Sequence, residues 1–415
     1  MLRLLIPGTH GTFTFERGPV VIERPESINL YIHVPFCSSI CPFCPYVKQV
    51  YDPSLARAYQ GALLKELETY YREWGDVHVE SVYFGGGTPS LTPEIVETTL
   101  DWISGHFQVG REVGMEVHPM SSSDSMLLRL KHAGVMQVSL GVQSFNDRLL
   151  DVLGRGYRSR DAIAACERVL AAGFDTIDVD LIFAIPSQTL EESVTDMETA
   201  LGLGVDQVST YPLIALSYTP LEGYLKTRGL RLPSMWLERQ MLRSMVSRAR
   251  DCGYERSSIW SFNQPGSSRY TTVTRDAFVG IGAGASSRMG DYFWLNTFSV
   301  PEYIKAVQRG SARSLATRLT PADRMAFWLF WQVYDLSIDR EACRAMHGND
   351  LPRRIQVLLP LLVLLGFARQ EGNAVRLTDR GAYLFHLVEK QYTQSYLKPM
   401  WQACLAEAWP ERGLL

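Results

Sequence analysis

Three of the chain's seven cysteines, Cys37, Cys41 and Cys44, fall within eight residues, spaced C-x3-C-x2-C. Three thiolates on one short loop suit a soft metal centre. A cubane iron–sulfur cluster held by three cysteines keeps one iron without a protein ligand, and that iron can bind a small molecule. A structural zinc ion is the competing chemistry, but zinc takes four ligands and no fourth cysteine or histidine stands at a typical offset. Cys166, Cys252, Cys343 and Cys404 are scattered along the chain and read as buried or inert thiols.

Other polar residues follow apolar runs in the same way as the cysteine loop. Gly85-Gly86-Gly87-Thr88-Pro89 closes the second run. Glycines there let the backbone approach a ligand and offer it N–H and C=O groups. Glu116 ends the third run in Glu-Val-His-Pro, where a carboxylate can hold an ammonium or a ribose hydroxyl. Gln143 is placed to read a ribose, and Arg155 offers a bidentate fork to a carboxylate. Asp180 is an acid inside an apolar strand, so it is either partnered or at a pocket. His118 reads as a structural histidine. Gly280, Gly282 and Gly284 offer a backbone cradle, but no βαβ unit with a ribose-binding acid follows, which argues against a dinucleotide fold.

The elements that position these residues alternate. Short apolar runs occupy Ile28–Val34, Val79–Phe84, Val113–Val117, Gln137–Gly141, Thr176–Phe183 and Gln207–Tyr211. Amphipathic stretches lie between them, with N-caps at Asp52-Pro53 and Thr92-Pro93 and a capping box of Thr189 with Glu192. Six strands, each followed by a helix, predict an α/β fold: a partial (βα)6 TIM barrel whose site lies at the strand carboxyl ends. Cys37, Gly85, Glu116, Gln143 and Asp180 all fall there. Near-continuous apolar strands such as Ile177–Ile185 predict a sheet covered on both faces.

The expected organisation is an N-terminal extension over 1–27, with short strands at Gly11–Phe15 and Val20–Ile22, then the barrel over 28–212. A bridging region over 213–315 contains a helix around Met235–Ala249 and a strand near Gly253–Ser258. A mostly helical, winged-helix-like domain follows over 316–392, then a tail over 393–415. In that domain helices open at Thr320-Pro321 and cover Arg340–Met346 and Leu351–Leu365, with Gly366 as the C-cap. A hairpin joins Phe367–Arg369 to Ala374–Leu377, and Asp379–Glu389 forms the last helix.

Composition excludes several function classes. The 415 residues carry a net charge of −3 and are 46% hydrophobic, an ordinary globular balance without a basic stripe. The winged-helix pattern therefore points to an intramolecular lid or docking role, with no nucleic-acid partner. The longest apolar run, Val357–Leu365, contains Pro360, is too short to span a bilayer and reads as a buried helix; no membrane partner is expected. Pro7 and Gly8 break the first apolar run, so no signal-peptide layout forms and a cytoplasmic location is expected. That compartment keeps thiols reduced.

The cysteine loop resembles that of the radical S-adenosylmethionine (SAM) superfamily. Taken in order, Cys37 to Cys44, Gly85–Ser90, Glu116–Pro119, Ser139–Phe145, Asp180–Pro186 and Gly280–Ala285 are similar to the oxygen-independent coproporphyrinogen III oxidase-like family, over about residues 28–390. The resemblance implies a [4Fe–4S] cluster on Cys37, Cys41 and Cys44. It implies SAM contacts from Tyr31, Gly86, Gly87, Thr88, Glu116, Gln143, Arg155 and Asp180. Ile214, Gly282, Ala283 and Ala285 would border a second ligand, which in part of the family is a second SAM.

Two departures favour one branch. The porphyrinogen decarboxylases of the family carry a further cysteine where this chain has Tyr46. The haem-chaperone branch carries His-Asn-x-x-Tyr-Trp where this chain has Ser267-Ser268-Arg269-Tyr270-Thr271-Thr272. What remains resembles the class C methyltransferases and cyclopropanases of natural-product pathways. That branch implies reductive cleavage of SAM to a 5′-deoxyadenosyl radical, methylene transfer from a second SAM, and a small or peptidic unsaturated substrate. Tyr46 and Glu116 are its candidate catalytic residues, and a flavodoxin or ferredoxin its reducing partner. The alternative is a porphyrin- or haem-related member, either a coproporphyrinogen dehydrogenase-like oxidoreductase or a haem chaperone.

Overall fold

The structure, a computed structural model, describes residues 14–216, 218–271, 277–394 and 398–414. Each of the six expected strands is present: β1 (Ser27–Val34), β2 (His78–Gly86), β3 (Gln108–Val117), β4 (Gln137–Gln143), β5 (Thr176–Phe183) and β6 (Gln207–Pro212). They are parallel and each lies beside its predecessor, the order of an opened barrel. Between them run α1 (Pro53–Trp74), α2 (Pro93–His106), α3 (Asp124–His132), α4 (Ser159–Ala172) and α5 (Leu190–Gly202).

The helix starts follow their caps. Asp52 accepts from the N–H groups of Ser54 (2.9 Å) and Leu55 (2.7 Å), with Pro53 in the first turn of α1. Thr189 and Glu192 exchange their capping-box bonds at α5. Thr92 departs from the expectation: its hydroxyl donates to the Pro89 carbonyl and makes no bond to α2.

One face of the parallel sheet differs from what continuous apolar runs suggest. Ile28, Leu30, Ile32 and Val34 of β1, and Ile177, Val179, Leu181 and Phe183 of β5, are buried in the main core. The alternate residues turn to the other side, into the lumen. These are Asn29, Tyr31 and His33 on β1, Ser81 and Tyr83 on β2, Ser139 on β4, Asp178 and Asp180 on β5, and Gln207 and Ser209 on β6. The two-residue period of a strand sorts its side chains this way. The lumen is therefore polar and the helix-covered side apolar.

After β6 the chain runs through α6 (Met235–Asp251) to β7 (Ser261–Asn263), which pairs antiparallel with β6. The expected strand near Gly253–Ser258 is the two-residue segment Glu255–Arg256, paired to β7. β8 (Phe278–Ile281) then returns parallel beside β1, so the glycine-rich run lies against the cysteine-loop strand. β9 (Ser286–Met289), β10 (Tyr292–Asn296) and β11 (Arg313–Arg318) extend the sheet. Thr14–Glu16 pairs with β11 and Arg412–Leu414 pairs with Thr14–Glu16, so the first and last described strands close its far edge together. Val20–Ile22 forms no strand. The rest of the proposed first strand, 11–13, lies outside the described residues.

The C-terminal region has its own apolar cluster around Trp328, Ile338, Cys343, Ile355 and Leu359. It is built from α7 (Pro321–Tyr334), α8 (Arg340–His347), α9 (Arg353–Leu364) and α10 (Asp379–Tyr392). A three-stranded sheet of β12 (Ser337–Asp339), β13 (Ala368–Glu371) and β14 (Ala374–Leu377) completes it. At the end of α9, Gly366 adopts φ 72°. Its N–H reaches Val363 O (3.0 Å) and that of Phe367 reaches Leu362 O (2.8 Å), a Schellman close. α9 is not the buried helix expected of an apolar run: Ile355 and Leu359 are buried, while Leu364 is 81% exposed. The run is one apolar face plus an exposed apolar back, a distinction that hydropathy summed along a sequence loses. Among the described residues no helix is long and apolar enough to cross a membrane.

Candidate active site at the cysteine loop

The loop leaves β1 at Pro35 and is clasped at its neck. Gln49 N–H donates to Pro35 O (2.7 Å) and Tyr51 N–H to Cys37 O (2.9 Å). Lys48 Nζ holds the carbonyls of Cys44 (2.6 Å) and Tyr46 (3.2 Å). Two side chains donate to the sulfurs, one from just after β2 and one from the loop before α4. Thr88 Oγ1 lies 3.7 Å from Cys37 Sγ, and Arg155 Nη1 lies 3.3 Å from Cys41 Sγ. Burial pushes the Cys37 thiol up to about 11, against the Thr88 hydroxyl, and pushes Cys44 up as well.

The glycine triplet has two duties. A side chain on Gly86, at φ 118°, would sit 2.5 Å from the His33 ring, and one on Gly87 would sit 2.6 Å from the Pro35 carbonyl. Both glycines thus let strand β2 close onto the neck of the cysteine loop, where Gly87 N–H donates to Val34 O (2.8 Å) and Thr88 N–H to Phe36 O (2.8 Å). Gly86 N–H also donates to Glu116 Oε2 (3.0 Å).

Glu116 receives the Tyr83 hydroxyl at 3.3 Å on its other oxygen. Burial, then the charge of Asp180, pushes its carboxyl up to about 7, against the Gly86 and Tyr83 bonds. Below it lies a second acid pair. Ser139 Oγ reaches Asp180 (2.7 Å) and Asp178 (3.1 Å), and Ser209 Oγ donates to Asp178 (3.0 Å). Burial raises Asp180 to about 6 and, with the charge of Asp180, raises Asp178 further. The lumen under the cysteine loop thus holds three carboxyl groups, Asp178 buried and Glu116 and Asp180 half-buried, a setting in which cationic or hydroxylated ligand groups are welcome.

Aromatic rings wall this space. Tyr31 stacks on Tyr83 at 6.1 Å and 15°, and Tyr83 tilts against Tyr270 at 5.3 Å, with their hydroxyls hydrogen-bonded. Tyr31 OH bonds His33 Nδ1 (3.1 Å) while His33 Nε2 faces the Val47 carbonyl (2.9 Å). A carbonyl only accepts, so Nε2 carries the proton and Nδ1 accepts from Tyr31. Burial pulls His33 down to about 4, so this ring is neutral. Tyr46 stands at the mouth, 56% exposed.

Arg155 is no surface arginine. Besides Cys41 it donates to Gly141 O (2.7 Å) and Tyr157 OH (3.0 Å). Burial works against its charge, but Tyr157 and Cys41 outweigh it and its pKa is raised. Gln143 holds φ 70° at the end of β4, a conformation that an L residue adopts only where its surroundings insist. Ile214 lies half-buried just after β6. Gly282, Ala283 and Ala285 are placed differently from an open ligand border. Ala283 and Ala285 are buried, Gly282 N–H donates to Glu66 (2.9 Å) and Ala283 N–H to Tyr59 OH (2.8 Å). The segment braces His33 and Val47 from behind.

The site gathers Tyr31, Gly86, Gly87, Thr88, Glu116, Gln143, Arg155 and Asp180 around or beneath the cysteines. Sequence reasoning missed Tyr83, Asp178, Ser139 and Ser209, whereas Tyr270 is legible there as a candidate stacking group and stands against Tyr83. The signal of the missed four was the spacing of two along β2, β4, β5 and β6, as in Asp178/Asp180. The donor set fits an iron–sulfur cluster. A cubane takes one thiolate per iron and wants its sulfurs apart.

Residues 31–200 match the radical SAM superfamily. The chain is 32% identical to the haem chaperone HemW of Lactococcus lactis over 292 residues, covering 69% of this chain and 76% of that protein. It is 28% identical to the haem chaperone HemW of Bacillus subtilis, covering 86% of this chain and 96% of that protein. The oxygen-independent coproporphyrinogen III oxidase of Cereibacter sphaeroides is 28% identical over 310 residues, covering 70% of this chain and 68% of that protein. Among solved structures, coproporphyrinogen III oxidase (HemN) from Escherichia coli superposes with a TM-score of 0.77 over 93% of this chain and 96% of that one, at 22% identity, which shows the shared fold. The chain belongs to the radical SAM superfamily and, within it, to the coproporphyrinogen III oxidase-like family that includes the haem chaperones. Its cofactors are a [4Fe–4S] cluster and SAM.

These likenesses overturn the class C expectation. Methyl transfer, cyclopropanation and the natural-product substrate all rest on two absences, the cysteine replaced by Tyr46 and the missing His-Asn-x-x-Tyr-Trp. Each absence spans a few residues of loop, where sequence drifts most freely. The likeness to haem and porphyrinogen proteins extends over most of the chain.

Proposed function

We propose that this protein is a tetrapyrrole-directed radical SAM oxidoreductase: it cleaves SAM reductively and takes hydrogen from a porphyrin-class substrate. The observation that carries this reading is the Arg155–Cys41 contact beside a lumen of three raised carboxyls, on a chain whose relatives bear haem or coproporphyrinogen in their names. Cys37, Cys41 and Cys44 would hold the cluster. When bound, the cluster and SAM supply one electron and the power to abstract hydrogen from carbon.

This chain's own residues do the rest. Arg155 supports the charge of the Cys41 sulfur and offers its fork to a carboxylate. Glu116 and Asp180 receive an ammonium and hydroxyls. Tyr31, Tyr83 and Tyr270 exclude water and give a flat ring faces to lie against. Glu116, held near neutrality, can take or return a proton at its Oε atoms. The expected cytoplasmic location, a flavodoxin- or ferredoxin-type electron donor and the domain limits given above belong to the same proposal.

A second reading, a haem chaperone, is favoured by one observation: the Bacillus subtilis relative matches over 96% of its length. Anaerobic incubation of the reconstituted protein with dithionite, SAM and coproporphyrinogen III separates the two. Formation of 5′-deoxyadenosine together with an altered tetrapyrrole supports the oxidoreductase. Stoichiometric haem binding without 5′-deoxyadenosine makes the protein a chaperone and sinks the first reading.

A further inference from the structure

The outer face of α6 carries a stripe that the cysteine site does not use. Trp236, Arg239, Arg243 and Arg250 recur at spacings of three, four and seven residues, which sets them along one side of the helix. Trp236 is 68% exposed and Met235 beside it 71%. Arg239 and Arg243 are like charges one turn apart, an arrangement that destabilises a helix unless something compensates it. The helix's own Glu238 does not. It is buried, and its carboxylate is taken by Lys390 (2.6 Å) and His386 (2.8 Å).

The arginines of this stripe, Arg239, Arg243 and Arg250, line one wall of a cleft of about 510 Å³ against the start of α10, within the size range of small-molecule sites, and Trp236 stands one turn before Arg239, outside that lining. Arg239, Arg243, Arg250, Arg256 and Arg380 line it, with Asp379 as its one acid. Asp379 is already committed to Arg250 (3.0 Å) and Arg256 (3.5 Å). Among the described residues Arg239, Arg243 and Arg380 have no carboxylate within ion-pair distance, and Arg239 and Arg380 lie over the rings of Tyr383 and Phe367. Leu242 and Val246 supply apolar floor. Five guanidinium groups against one carboxylate leave a surplus of four positive charges, on a chain whose net charge is −3.

An exposed indole next to uncompensated guanidinium forks matches one ligand chemistry. We propose that this cleft binds a flat aromatic molecule carrying two or more anionic groups, stacked on Trp236 and held by Arg239, Arg243 and Arg380. A polycarboxylate macrocycle and a nucleoside triphosphate both have that chemistry. The cleft shares no residue with the cysteine site, and its test does not depend on what that site does.

The full-length, cluster-reconstituted protein is titrated with coproporphyrin III and, separately, with ATP, at low and high salt. At least one probe binds, weakens with salt, and loses about tenfold or more in affinity in R239Q/R243Q, while SAM cleavage is unchanged. Coproporphyrin alone marks the macrocycle source, and ATP alone the nucleotide. The charge-preserving R239K/R243K pair, which keeps the fold but loses the forks, and W236A each weaken the same probe about threefold or more. The proposal is overturned if neither probe binds or if R239Q/R243Q and R239K/R243K both bind like the parent. It also fails if binding disappears in C37A/C41A/C44A instead, or if a single-stranded oligonucleotide binds more tightly than both probes.

Discussion

Two glutamates with raised carboxyls show how one residue type serves opposite ends in this molecule. Glu66, on α1 behind the cysteine loop, accepts from Gly282 N–H (2.9 Å), Asn296 Nδ2 (2.8 Å) and Tyr303 OH (2.6 Å). Glu116, beneath the loop, accepts from Gly86 N–H and, at 3.3 Å, from Tyr83 OH. Burial pushes both up to about 7, and in both a glycine N–H pulls the other way. Glu66 faces three donors and no other acid. It staples the Gly282 turn to the barrel. Glu116 has fewer and longer bonds, is only half-buried, and stands beside Asp180. Its spare capacity, not its pKa, marks it as the group that meets a ligand.

The comparison can be broken, and the largest effect lies at the loop that both glutamates flank. Cys41→Ala is expected to abolish the thiolate–iron absorption of the reconstituted protein and reduce SAM cleavage to background; full absorption would remove Cys41 from the ligand set. Next comes Glu66→Ala, which leaves three buried donors unpaired and is expected to cost roughly 4 kcal/mol in denaturant unfolding. Glu116→Gln is expected to lower SAM cleavage about 100-fold while stability changes by less than about 1 kcal/mol. If Glu116→Gln unfolds the protein and Glu66→Ala merely slows it, the two roles are reversed.

The smallest effect is a slope. Both glutamates hold folded values of about 7 against an ordinary 4.5. Between those values the folded protein binds more protons than the unfolded chain, so stability falls as pH rises from about 4.5 to about 7. Denaturant unfolding across that range should show the decline, and Glu66→Gln should flatten it. A rise with pH would contradict both assignments.

Much of this arrangement was legible before any coordinates. The six strands, the Asp52 and Thr189 caps, the Gly366 helix end and the cysteine loop each have a local chemical cause, and local causes are written in neighbouring residues. The lumen was harder. Reading β5 as one apolar run hid the alternation that turns Asp178 and Asp180 inward together. Tyr270 joins Tyr83 across 187 residues of chain, and Glu66 meets Gly282 across 216, so neither contact leaves a local signature. β12 is three residues long, too short for any period to show. The branch of the family was misread for a different reason: two missing loop features were weighed above the pattern of the whole chain.

The central claim is that the cysteine loop and the carboxyl-lined lumen below it act on a tetrapyrrole. The most direct measurement follows 5′-deoxyadenosine formation under reducing, anaerobic conditions, with and without coproporphyrinogen III, in the parent and in Glu116→Gln. The account predicts formation that rises with the tetrapyrrole, keeps pace with its change, and falls in Glu116→Gln. Formation indifferent to the tetrapyrrole, with no tetrapyrrole altered or bound, would contradict it.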